Sequence, residues 1–157
     1  MRLEGACSCG AVQFSLESPT PVPFMHCYCS LCRKMSGGGG YAINLGGLAD
    51  TLTVKGREAM RKFQAVIDGK ESPLERHFCG TCHSALWTWD PRWPELIHPF
   101  ASAITTPLPE APERVHIMLR YKPGWVPVPE GQEDRHFQEY PDESLEAWHK
   151  RHGLFEG

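Results

Sequence analysis

All seven cysteines of the chain fall in three short clusters: Cys7-Ser8-Cys9, Cys27-Tyr28-Cys29-Ser30-Leu31-Cys32 and Cys79-Gly80-Thr81-Cys82. Two residues apart on an extended chain, side chains point the same way, so a Cys-x-Cys pair can grip one ion. A Cys-x-x-Cys turn does the same at a tight corner. This pattern constrains the fold more than any other feature, because separate stretches of chain must converge on metal. An odd number of cysteines cannot pair completely as disulfides. The first residues hold no apolar run suited to a signal peptide, so a cytoplasmic location with reduced, metal-binding thiols is expected. The neighbouring Ser, Gly and Thr argue against thiols that merely fill a core. Ferredoxin-type cysteine runs are absent, which favours zinc over iron-sulfur clusters.

A closed structural zinc takes four ligands, and a catalytic zinc takes three and keeps an open position. Seven thiolates therefore suggest one site of each kind. Spacing alone leaves membership open: Cys29 and Cys32 could join Cys79 and Cys82, stranding Cys7, Cys9 and Cys27.

Fourteen Pro and fifteen Gly in 157 residues demand short elements and long connections, within one expected domain spanning 1–157. Apolar residues alternate at Val12, Phe14 and Leu16, at Tyr41, Ile43 and Leu45, at Leu52 and Val54, and from Phe63 through Ala65 to Ile67. Such runs read as half-buried strands. Asp68-Gly69 is a hairpin turn signal ahead of Glu75–Cys79. Ala85–Trp89, Leu96–Ala101 and Val115–Leu119 are further strand candidates. One helix is expected, where Asp142, Glu143 and Ser144 precede Leu145, basic residues fill the last turn and Gly153 follows. The fold class is mainly β, chiefly antiparallel, with long loops and a short C-terminal helix. A net charge of -3 and a pI near 6.2 give no basic surface for nucleic acid, and no stretch is long enough to span a membrane.

In order and spacing, Gly5-Ala6-Cys7-Ser8-Cys9-Gly10-Ala11-Val12, then Cys27 through Arg33-Lys34 with glycines close behind, then Phe78-Cys79-Gly80-Thr81-Cys82, resemble the glutathione-dependent formaldehyde-activating (GFA) family. The resemblance runs from about Gly5 into the strand after Cys82 and implies the β-tent architecture. It implies that Cys7, Cys9, Cys79 and Cys82 share a structural zinc, and that Cys27, Cys29 and Cys32 hold the catalytic zinc. It also implies a zinc-dependent carbon-sulfur lyase, similar to S-(hydroxymethyl)glutathione synthase. Such an enzyme adds a thiol such as glutathione to a small aldehyde such as formaldehyde, or cleaves the adduct. Tyr28 stands where the family commonly has His, and His83 where it commonly has Gly; neither change removes a ligand. The rival classes are a non-catalytic zinc module that binds another protein and a thiol or zinc sensor.

Arg33 and Lys34, just beyond the third ligand, are candidate contacts for a glutathione carboxylate. Ser36 and Gly37 to Gly40 can form a loop that approaches a ligand closely. His26, His77 and His83 flank the clusters and are expected to support them or lie at the surface. Trp87, Trp89, Trp93 and Phe100 are expected to pack as core or lid.

Overall fold

Short strands dominate, as the proline and glycine content dictates. In chain order they are Arg2–Ala6 (β1), Gln13–Glu17 (β2), Phe24–Cys27 (β3), Ala42–Asn44 (β4), Gly47–Leu48 (β5), Thr53–Lys55 (β6) and Met60–Phe63 (β7). Val66–Ile67 (β8), Lys70–Glu71 (β9), Glu75–Cys79 (β10), Ala85–Trp89 (β11), Leu96–Pro99 (β12), Arg114–Ile117 (β13) and Asp134–His136 (β14) follow. The described α-helices are Ser30–Ser36 (α1) and Leu145–Arg151 (α2). The structure, a computed structural model, describes residues 1–154, so the last three positions of the expected 1–157 domain lie outside the described residues. The protein is mainly β, with a short C-terminal helix. Among the described residues no helix is long and apolar enough to cross a membrane.

The chain divides into two compact units. One comprises Met1–Pro21 and Asn44–Pro109. It holds an antiparallel three-stranded sheet in the order β1-β2-β6 and an antiparallel five-stranded sheet in the order β5-β12-β11-β10-β7. Alternation buries Leu3 and Gly5 on β1 opposite Leu16 and Phe14 on β2. A Cβ at Gly5 would collide with the Phe14 ring and come within 2.6 Å of the Ala103 carbonyl oxygen, so the close packing here requires glycine. Phe14 in turn meets Trp87 edge-on at 5.0 Å.

The second unit comprises Val22–Ile43 and the chain from Glu110 onward. Its sheet has the order β14-β13-β3-β4, and β13 runs parallel to both β3 and β14. The chiefly antiparallel expectation holds for the other described ladders, and these two are its parallel exceptions. Alternation sets which side of a strand faces the core but carries no information on strand direction, which long connections leave free. α2 covers this unit as expected: Ser144 Oγ accepts from the Ala147 amide at 3.1 Å, and Trp148 is buried.

Other local readings shift. The run from Phe63 to Ile67 breaks into β7 and β8. Asp68 and Gly69, with φ of 52° and 75°, join β8 to β9 in a hairpin confined to those two short strands, while β7 itself pairs with β10. Both turn residues need the left-handed conformation that a two-residue mirror-image turn demands. The Leu96 and Val115 strands end early, each followed by a 3-10 turn. α1 had no sequence signal, because Ser30–Ser36 is too short to show an apolar period.

Candidate metal centres

The four sulfurs of Cys7, Cys9, Cys79 and Cys82 lie within 4.8 Å of one another, wholly within the first unit. Cys7 follows β1, where the chain turns at Gly10 (φ 76°) and returns with the Cys7 amide on the Val12 carbonyl at 3.0 Å. Cys79 closes β10, and the turn to Ser84 is sealed by the His83 amide on the Cys79 carbonyl at 2.9 Å and the Cys79 amide on the Ser84 carbonyl at 3.0 Å. His83 there has φ of 62°, which is the conformation glycine adopts most easily. Two backbone turns thus present two sulfurs each. Val12 N donates to Cys7 Sγ at 3.2 Å and Thr81 N to Cys79 Sγ at 3.4 Å. Ser84 Oγ lies 3.1 Å from Cys82 Sγ and accepts from Ser8 N at 2.9 Å.

Sulfur separations of 3.6 Å for Cys7–Cys9 and 3.8 Å for Cys9–Cys79 match the ~3.8 Å edge of a tetrahedron with metal-sulfur bonds of about 2.3 Å. The thiols of this cluster are perturbed in opposite directions. Hydrogen bonds from the Ser84 side chain and backbone pull the Cys82 thiol down to about 5. The Ala11 amide pulls Cys9 down, but bonds to Cys7, burial, Cys82 and Cys79 together push it up to about 11. Adjacent thiolates repel, so protons stay on part of the cluster unless a cation discharges it.

The second cluster, in the second unit, brings Cys27, Cys29 and Cys32 within the same 4.8 Å limit. Cys27 ends β3. Cys29 caps α1, its sulfur accepting from the Cys32 amide at 3.3 Å, while Arg33 N donates to the Cys29 carbonyl at 2.9 Å. The first helical turn therefore carries the third sulfur back to the first two. Cys27 and Cys32 are buried and Cys29 is half-buried. Hydrogen bonds to Cys29 and Cys32, with burial, push the Cys27 thiol far up. None of the seven cysteines is joined in a disulfide, and no histidine joins either cluster among the described residues.

The remaining expected residues divide between site and scaffold. The Nε of Arg33 is buried without a hydrogen-bond partner among the described residues, whereas Lys34 is exposed. The glycine loop closes through the Gly40 amide on the Gly37 carbonyl at 3.2 Å, and Gly40 abuts Val126. Burial pushes His26 down to about 4, and its Nδ1 meets the Phe24 carbonyl at 3.1 Å. His77 stacks on Trp87 at 5.4 Å and meets Glu75 at 3.0 Å; His83 is exposed. Trp87 and Phe100 are core, Trp89 donates to the Pro94 carbonyl at 3.1 Å, and Trp93 is exposed under Arg92.

A buried hydrogen-bond chain reaches the second cluster without any motif to announce it. The Tyr28 hydroxyl lies 2.8 Å from His116 Nδ1, and His116 Nε2 lies 2.7 Å from Asp134 Oδ1. Arg114 bonds Asp134 through two nitrogens, each at 2.8 Å, and holds its carboxyl well below the usual carboxylate range. An ionised Asp134 can only accept, and burial, opposed in part by Asp134, pushes His116 down and so favours its neutral ring. Nε2 therefore donates to Asp134, and Nδ1 accepts the Tyr28 proton. The partners lie 88 and 18 residues apart, which is why no local pattern betrays them.

Short β-strands, two turns offering four sulfurs and a strand-helix junction offering three define a small β protein with two all-cysteine clusters, each of which could hold a metal ion. Comparison with known proteins agrees. The model of the family described as glutathione-dependent formaldehyde-activating enzyme matches residues 2–119, and the chain belongs to this family. A Halomonas elongata protein, provisionally named as a glutathione-dependent formaldehyde-activating enzyme, is 62% identical over 157 residues, covering 100% of both chains. A crystal structure of a Rhodobacter sphaeroides protein shares the fold at 24% identity and a TM-score of 0.52, covering 69% of this chain and 92% of that one.

Proposed function

We propose that this protein is a zinc-dependent carbon-sulfur lyase that adds glutathione, or a similar thiol, to formaldehyde or another small aldehyde, and cleaves the adduct in reverse. The observation that carries this reading is the convergence of three sulfurs at Cys27, Cys29 and Cys32, against four at the other centre, in a chain of the GFA family. Cys7, Cys9, Cys79 and Cys82 would hold a structural zinc that ties two turns together, and Cys27, Cys29 and Cys32 a zinc with an open position. Zinc bound by three thiolates would keep a substrate thiol ionised and nucleophilic near neutral pH.

The chain's own residues do the rest. In the net reaction a thiol S–H bond breaks and an S–C bond forms, while the carbonyl π pair moves to oxygen and takes up the proton. Cys29 and Cys32, joined by the first turn of α1, hold two sulfurs at fixed separation, and Cys27 brings the third from the end of β3. The buried, unpartnered Nε of Arg33 offers a donor to a substrate carboxylate, with Lys34 as a second cation beside it. Both units have a role in this reading, one supplying a closed centre and the other the reacting one.

Exchange spectroscopy by NMR on formaldehyde mixed with glutathione tests it directly. The protein loaded with two zinc ions should accelerate interconversion of free formaldehyde and S-(hydroxymethyl)glutathione, and Cys29→Ser should not. A doubly loaded protein that accelerates no pairing of aldehyde and thiol refutes the lyase reading.

A further inference from the structure

We propose that Tyr28, anchored by His116 and Asp134, is a positioning residue that sets the directions of Cys27 and Cys29 for metal. The inference rests on the reading that Cys27, Cys29 and Cys32 bind a metal ion. Tyr28 lies between two ligands on an extended segment, so its side chain points away from theirs. It is wholly buried, as is His116. Its hydroxyl is 2.8 Å from His116, His116 is 2.7 Å from Asp134, and Asp134 is held in turn by Arg114 and by the Gly131 amide at 2.8 Å. At the other end, the Tyr28 amide donates to the Ile117 carbonyl at 3.1 Å, and Ile117 is the strand partner of Cys27. Tyr28 is therefore pinned at both its backbone and its tip. A side chain pinned this way fixes the backbone rotation that aims its two neighbours to the opposite side.

Chemistry supplies the reason for such an anchor. Burying a hydroxyl, an imidazole and a carboxylate is favourable only when each is bonded, and a phenylalanine would fill the same space without that demand. The four-sulfur cluster is built from two turns that carry their own amide and Ser84 bonds. The three-sulfur cluster has one ligand fewer to define its shape, and Cys29 also starts the helix that delivers Cys32. Any rotation at Tyr28 would displace all three sulfurs together.

Chelator competition with zinc, and the absorption of the cobalt(II)-substituted protein, test this on the full chain. A Cys29→Ser control that retains only the other centre separates the two signals. Tyr28→Phe should weaken zinc at the three-cysteine centre by about tenfold or more and alter its cobalt-thiolate absorption, with the four-cysteine centre unchanged. Tyr41→Phe removes a hydroxyl from a ring that packs 5.2 Å from Tyr28 but outside the chain, and should behave as wild type. His116→Ala should weaken the centre in the same way. His116→Asn places an amide where Nδ1 stood and should restore most of the affinity, which keeps the test open even if Tyr28→Phe fails to fold. Wild-type affinity and spectrum in Tyr28→Phe, equal weakening at both centres, or equal loss in His116→Ala and His116→Asn each overturn the positioning role alone. A wild-type protein that binds only one metal ion overturns the metal reading and this inference together.

Discussion

Replacing Cys79 with serine should unfold the protein, whereas the same replacement at Cys29 should leave it folded. Cys79 is fully buried, its sulfur lies 3.8 Å from that of Cys9, and it receives the Thr81 amide at 3.4 Å. It ends β10, which is hydrogen-bonded to both β7 and β11. A structural zinc contributes on the order of 10 kcal/mol to folding, and a domain of this size has only about 5–15 kcal/mol in total. Serine is a poor zinc ligand, so losing even half of the metal's contribution, ~5 kcal/mol, would remove most of that margin. Cys29 is half-buried in the three-cysteine cluster, so on the proposed function its loss should cost a metal ion and the thiol-aldehyde activity but not the fold. Metal content per chain, the far-UV thermal transition and the fluorescence of buried Trp87 on β11 read both outcomes. A Cys79→Ser protein that keeps two zinc ions and a wild-type transition, or a Cys29→Ser protein that is the one to unfold, refutes the division into structural and reacting centres.

Two further predictions concern the second unit. Glu113 is buried and accepts from Arg151 at 3.0 and 3.2 Å, from Trp148 at 2.9 Å and from Arg135 at 3.0 Å; the Arg151 bonds, offset in part by burial, hold its carboxyl down to about 2. A depressed carboxyl stabilises the fold above its unfolded pKa of about 4.3 and loses that contribution as pH falls toward its folded value. Glu113→Gln should therefore cost about 1–3 kcal/mol near neutral pH, and denaturant titrations should show the gap from wild type narrowing as pH drops below about 4.3; a constant gap would contradict the linkage. At Gly37, which follows α1, an added Cβ would overlap the Tyr41 carbonyl oxygen, a backbone atom that cannot swing aside. Gly37→Ala should lose about 1–3 kcal/mol and weaken metal at the cluster containing Cys32, measured by thermal unfolding and chelator competition, and a neutral result would show that the loop relaxes freely.

Much of this protein was decided by local sequence. Cysteines two and three residues apart mark candidate ligand pairs before any fold is known, because strand alternation and tight turns aim such side chains together. Ser144, the basic last turn and Gly153 were enough to mark α2, since caps act within one turn of a helix end. Short alternating runs located β2 and β6 within a residue or so, because burial on one face is a property of each strand alone. What local sequence left open is whatever depends on closure over distance. Spacing allowed Cys29 and Cys32 to meet Cys79 and Cys82; the folded chain instead places Cys79 and Cys82 beside Cys7 and Cys9, as the family resemblance implied. The parallel course of β3, β13 and β14 follows from long connections whose direction no periodicity records. The same holds for the bonds joining Tyr28, which stood out only as a departure from the family pattern, to His116 and Asp134, which lie in no motif. Only the tertiary structure, by bringing them together in a dry interior where each polar group must find a partner, makes them a single bonded chain.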